Sequence, residues 1–135
     1  MATGHYFTLS FDRIVEVRIL TEKFNFPEDL FAEDYFYDSY GVMLPKEGEE
    51  AVDVVVRAKG DAMYYLEDVP LHHSQHVIKE EKAYTDFNLH IKVTDDFIGA
   101  ILHQGDRLEI MSPLPVREKI KSSLVKALAP YCQAV

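Results

Sequence analysis

Thr85-Asp86-Phe87-Asn88-Leu89-His90-Ile91-Lys92-Val93 alternates without a break, with Thr85, Phe87, Leu89, Ile91 and Val93 on one side and Asp86, Asn88, His90 and Lys92 on the other. Successive side chains of a strand point to opposite faces, so this stretch predicts a half-buried β-strand with its apolar side on a core. Thr94 follows as an N-cap, and Asp95 and Asp96 fall in the first turn, where the positive end of a helix favours negative charge. Phe97, Ile98, Ile101 and Leu102 then recur at helical spacing, and Gly105 closes the helix. Leu108 and Ile110 mark a short strand that ends at Ser112-Pro113. The unit is strand-helix-strand.

Working back from Thr85, the same order appears a second time. Val52, Val54 and Val56 form a β-branched strand, and Gly60-Asp61 ends it. A helix over Asp61–Glu67 places Ala62, Tyr65, Leu66 and Val69 at helical spacing. Pro70 leads out of it, His76–Glu80 is short and extended, and Glu81-Lys82 is a turn. Each half spans roughly thirty residues, the size of a split βαβ unit. The predicted fold is α+β: a ferredoxin-like split βαβ sandwich with an extra C-terminal helix. That last helix starts at Pro115, sets Val116, Ile120, Leu124 and Leu128 on one face, turns Lys119, Lys121 and Lys126 away, and is limited by Pro130.

A β-strand/helix segment precedes the sandwich. Tyr6–Leu20 reads as extended, first with Phe7, Leu9 and Phe11 alternating with polar residues, then with Val15, Val17 and Ile19 opposite Ile14, Glu16 and Arg18. One bent strand or two would fit. So little sheet is marginal alone and needs cover from the rest of the chain or from a partner. Phe26-Pro27-Glu28-Asp29 suits the start of a helix. Phe31, Tyr35, Phe36 and Tyr40 then make an aromatic face, Glu33, Asp34 and Asp38 an acidic one, and Gly41 the stop. With those acids beside it, the aromatic cluster favours packing over base stacking. Leu44–Glu50, proline, glycine and charge without periodicity, is the linker that divides residues 1–44 from residues 51–135.

Composition narrows the function. The chain of 135 residues carries a net charge of −9, which argues against its gripping a phosphate backbone by itself. No run approaches the length of a membrane-spanning helix, and the N-terminus lacks a signal-peptide pattern. A single cysteine, Cys132, permits no internal disulfide and suits a cytoplasmic location. No cofactor-binding motif is present: Gly60, Gly99 and Gly105 stand isolated rather than in a phosphate loop.

Chemistry concentrates in Leu71-His72-His73-Ser74-Gln75-His76, which holds three of the six histidines. A catalytic zinc needs three ligands converging from a rigid frame, whereas adjacent residues of an extended segment point apart. His73 and His76 would share a metal only on a helix, against which Pro70 and the following strand both argue. Ser74 beside His73 is no triad, because sequence neighbours rarely meet side chain to side chain. The paired acids Glu49-Glu50, Glu80-Glu81 and Asp95-Asp96 fall in linker, turn and cap. No metal site and no catalytic residue is therefore expected. Two readings of the histidine stretch stay open, contact with a ligand or partner and structural locking; an enzyme using His73 or His76 ranks behind both.

Several stretches together resemble the C-terminal part of WYL-domain transcriptional regulators. They are Leu71–Gln75, Thr85-Asp86-Phe87 and Gly105–Ile110 with Ser112-Pro113, and, upstream, Phe11–Ile14, Phe26–Asp29, Tyr35-Phe36 and Asp38–Gly41. The resemblance covers nearly the whole chain. It implies the end of a WYL domain followed by a ferredoxin-like C-terminal extension. It also implies a non-catalytic regulatory module that senses a small-molecule or nucleotide effector and associates with itself. DNA would be reached only through a helix-turn-helix domain that this chain lacks. Arg13 matches the arginine of the Asp-Arg-Ile motif near the family's proposed ligand surface, so Arg13, His72, His73, Ser74 and Gln75 are the implied ligand- or partner-binding residues. With no tryptophan, the Trp-Tyr-Leu signature itself is absent. The alternative is a stand-alone small-molecule-binding or dimerisation domain unrelated to transcription.

Overall fold

A computed structural model describes residues 9–29, 31–46 and 48–132. In chain order the elements are α1 (Ala32–Phe36), β1 (Val52–Lys59), α2 (Asp61–Asp68), β2 (His76–Glu81), β3 (Tyr84–Ile91), α3 (Asp95–His103), β4 (Leu108–Ser112) and α4 (Leu114–Leu128). The four strands form one antiparallel sheet in the order β2-β3-β1-β4. Each helical crossover therefore joins two strands that have a third between them, as a split βαβ pair requires.

The core follows from the alternation. β1 and β3 pair from Val52 opposite Ile91 to Lys59 opposite Tyr84. That register puts Val54, Val56 and Ala58 beside Leu89, Phe87 and Thr85 on one buried face. Ala62 and Leu66 of α2 and Phe97, Ile98 and Ile101 of α3 close over the same face. Burial of a Leu, Ile or Phe side chain contributes about 1.5–3 kcal/mol, so this shared face is what holds both halves together.

Three expectations change. The strands expected over Tyr6–Leu20 do not form among the described residues: Phe11–Arg13 is a 3₁₀ turn, and Val15 and Ile19 are both 100% exposed. Alternation makes a strand only where a neighbouring strand takes up the backbone N–H and C=O groups, and among the described residues no strand pairs with this stretch. The part at Tyr6–Thr8 and the Tyr35 side chain lie outside the described residues. α1 has five residues rather than ten, and the chain from Tyr37 onward is used for packing on the sandwich instead. In α4 the expected apolar stripe is only half covered: Val116 is buried and Ile120 partly so, but Leu124 is 52% and Leu128 59% exposed. α4 ends at Leu128, within the limit set by Pro130, and a 3₁₀ turn follows over Ala129–Cys132.

Candidate functional site: a histidine clamp

The histidine stretch is built as a turn. α2 ends where Val69 N–H donates to Tyr65 O (2.8 Å), and Pro70 cannot continue it. Gln75 then reaches back: its Nε2 donates to Leu66 O at 2.6 Å, and its Oε1 accepts Leu71 N–H at 2.9 Å. Carbonyls in the last turn of a helix lack internal partners, so Gln75 acts as a side-chain cap and fixes the turn on the end of α2. Ser74 joins the same turn to β3. Its Oγ accepts His90 N–H at 2.9 Å and lies 3.2 Å from His90 O.

His72 is the hub, and only 9% of it is exposed. Its Nε2 lies 2.9 Å from Tyr37 O, and its Nδ1 lies 2.7 Å from Ser74 Oγ. A carbonyl can only accept, so Nε2 carries the proton, and in the neutral ring Nδ1 accepts the Ser74 hydroxyl. Burial pushes the His72 pKa below its ordinary value, against the opposing pull of the Tyr37 carbonyl. The ring is therefore a neutral hydrogen-bonding spacer at neutral pH. His73 is exposed, and its ring lies tilted against the Tyr37 ring with centroids 4.3 Å apart and against the His72 ring at 4.0 Å. His76 is exposed at the start of β2, its Nδ1 3.1 Å from Ser74 O.

What the hub grips is the segment before the sandwich. Beyond Tyr37, Asp38 O accepts Lys92 N–H at 2.7 Å, and Ser39 makes a parallel bridge with Lys92. Tyr40 packs edge-on against Phe97, with centroids 5.8 Å apart. Asp96 Oδ2 then accepts both Val42 N–H and Met43 N–H at 3.1 Å, while Oδ1 takes Phe97 N–H and the Thr94 hydroxyl. Gly41 makes this approach feasible. Its φ is +74°, and a Cβ there would collide with Asp96 Oδ2. Gly41 was expected to stop a helix; what it permits is this close contact. The Asp95-Asp96 pair was expected as solvated cap charge, and Asp96 is a clamp residue as well.

Of the five residues singled out from sequence, the structure brings His72, His73, Ser74 and Gln75 together. Arg13 is apart from them: it is exposed on the 3₁₀ turn, and no hydrogen bond among the described residues joins it to the histidine stretch. Among the described residues no three His, Cys, Asp or Glu side chains are placed to hold a metal. No helix among them is long and apolar enough to cross a membrane.

Sequence reasoning missed a second polar cluster, on the sheet face away from the helices. Arg57 makes a bidentate pair with Asp86 at 2.8 and 2.9 Å, and its guanidinium lies 3.7 Å from the Tyr84 ring centroid. Asp86 raises the Arg57 pKa further, so the charge is permanent. Asp86 was expected on the solvated side of β3 and is instead almost covered. No spacing rule could find the pair, because Arg57 faces Asp86 only through the β1–β3 register.

A four-stranded antiparallel sheet with interleaved helices, followed by a C-terminal helix and joined by a clamp to an upstream segment, defines an α+β sandwich. Residues 50–128 match the family model of the WCX domain. The chain belongs to that family, the C-terminal extension found in WYL-domain transcriptional regulators. A comparison with curated proteins gives no match.

Proposed function

We propose that this chain is a non-catalytic regulatory module of a WYL-type transcriptional regulator. In this reading the clamp is the joint through which the module and the segment leading into it move as one. The observation that carries the reading is the His72 bridge. A buried neutral imidazole spans from the Tyr37 backbone to Ser74, and Ser74 is bound in turn to the β3 backbone. A small-molecule or nucleotide effector acting near Arg13 would shift the population of clamped and released joints, and DNA would be reached through a helix-turn-helix domain elsewhere in the regulator. The uncovered Val15, Ile19 and Phe24 support self-association, since a run of exposed apolar side chains marks a contact surface.

Two readouts test this. Hydrogen exchange on His72→Ala should show residues 38–43 and 72–75 losing protection together while β1 and β3 keep theirs. Loss confined to one of the two stretches would mean that they are no joint. Light scattering should show a mass that grows with concentration and falls back with Ile19→Asp. A strict monomer at high concentration overturns the association half.

A further inference from the structure

Four of the six histidines gather about Ser74. His72 Nδ1 lies 2.7 Å from its Oγ, His76 Nδ1 lies 3.1 Å from its carbonyl, and the His90 N–H donates to its Oγ at 2.9 Å. The His73 ring leans on the His72 ring with centroids 4.0 Å apart. Every element packed against the buried His72 ring therefore presents a charge or a group that can take one. Its own turn presents His73, and the Ser74 N–H stands 3.3 Å from Nδ1. β3 presents His90, and the segment leading into the sandwich presents Asp38 beside the Tyr37 carbonyl. His90 pairs in turn with Asp53 at 3.1 Å, and His76 also bears on that carboxylate. Two carboxylates, Asp38 and Asp53, stand against four imidazoles.

Histidine is the side chain whose charge changes across the physiological pH range. A second proton on His72 would sit on Nδ1, because Nε2 already donates to Tyr37 O. The Ser74 hydroxyl can then turn to His90 O, 3.2 Å away, and accept from the ring, so the hydrogen bonds survive. Burial is what chiefly opposes the charge, followed by the imidazoles of His73 and His90, while the Tyr37 carbonyl and Asp38 favour it and are outweighed. Lifting the Tyr37 segment off the ring lets water in and removes that opposition. We propose that the joint is released by acid: a proton taken up by His72 frees residues 37–43 from the turn while the sheet stays folded. This rests on the reading of the His72 bridge as a joint and adds the signal that opens it. The sign follows from linkage. The clamped ring has its pKa below the ordinary 6.5, so the bridge is whole above that value and gives way as pH falls through the lower one. The proton shifts the population because the released form binds it better.

The test is amide hydrogen exchange by NMR, corrected for its intrinsic pH dependence, on wild type, His72→Gln and His73→Ala between about pH 7.5 and about pH 5.5. In wild type, opening of residues 38–43 and 72–75 should rise as pH falls, by no more than about tenfold per pH unit because a single proton drives it. β1 and β3 should keep their protection. His72→Gln keeps a donor and an acceptor without a titrating ring, so its opening should not change with pH. His73→Ala removes a like-charged neighbour and should respond less than wild type. Acid release is overturned if wild type shows no rise, if His72→Gln rises as steeply, if His73→Ala matches wild type, or if the sheet loosens together with the joint. None of these outcomes touches the joint itself, which fails separately if His72→Ala at neutral pH releases only one of the two stretches.

Discussion

Replacing Ser74 by alanine removes one oxygen that holds three parts of the structure in register. Ser74 Oγ accepts His90 N–H at 2.9 Å and meets His72 Nδ1 at 2.7 Å, so its loss leaves the strand amide without its partner and His72 Nδ1 with the longer contact from Ser74 N–H at 3.3 Å. An unsatisfied buried polar group costs about 1–3 kcal/mol. Ser74 itself is only half-buried, so water can reach part of the gap, and the expected loss is about 2 kcal/mol in all. At about 4–8 °C per kcal/mol for a domain of this size, the melting temperature should fall by roughly 8–16 °C. Thermal and urea unfolding of wild type, Ser74→Ala and Ser74→Thr measure it, with Ser74→Thr retaining most of the stability because it keeps the hydroxyl. Exchange of the His90 amide should quicken in Ser74→Ala beyond the global change. A loss under about 0.5 kcal/mol with His90 exchange unchanged would refute the clamp, since an exposed serine far from any network behaves that way.

The remaining predictions concern the other parts of the clamp. Gly41→Ala forces a Cβ into Asp96 Oδ2 at a backbone angle of +74°, so it should destabilise by about 1–3 kcal/mol and release the Val42 and Met43 amides selectively in hydrogen exchange. His72 gives a pH dependence: its folded pKa is depressed below the ordinary 6.5, so the unfolded chain binds the proton first on acidification. The contribution is fully present above pH 6.5 and is lost as pH falls through the depressed value, and urea midpoints from pH 8 to pH 5 should drop less in His72→Gln than in wild type.

The fold was legible where one rule acted alone. Val54, Val56 and Ala58 on β1 and Phe87, Leu89 and Ile91 on β3 are buried because strand alternation and apolarity agree, and Phe97, Ile98 and Ile101 are buried because helical spacing does. The family resemblance, drawn from short motifs such as Leu71–Gln75 and Gly105–Ile110, agrees with the WCX match over residues 50–128. Legibility ended where the outcome depends on a distant partner. Val15, Val17 and Ile19 have the pattern of a strand, but among the described residues no neighbouring strand pairs with them. Leu124 and Leu128 have the spacing of a buried stripe, but they are 52% and 59% exposed. Of the two readings left open for the histidine stretch, the geometry displays locking: His72 meets a carbonyl 35 residues away, and no local pattern encodes that.

The polar inventory of the stretch also bears on where any effector can act. His72 uses both ring nitrogens, Ser74 its hydroxyl and Gln75 both ends of its amide in bonds within the chain. A ligand competing for those groups would have to replace bonds that already exist, and the net gain from exchanging one hydrogen bond for another is small. His73 is different, because its ring is exposed and meets Tyr37 and His72 through tilted ring contacts. A ligand that drew His73 away would remove these ring contacts without breaking the turn itself.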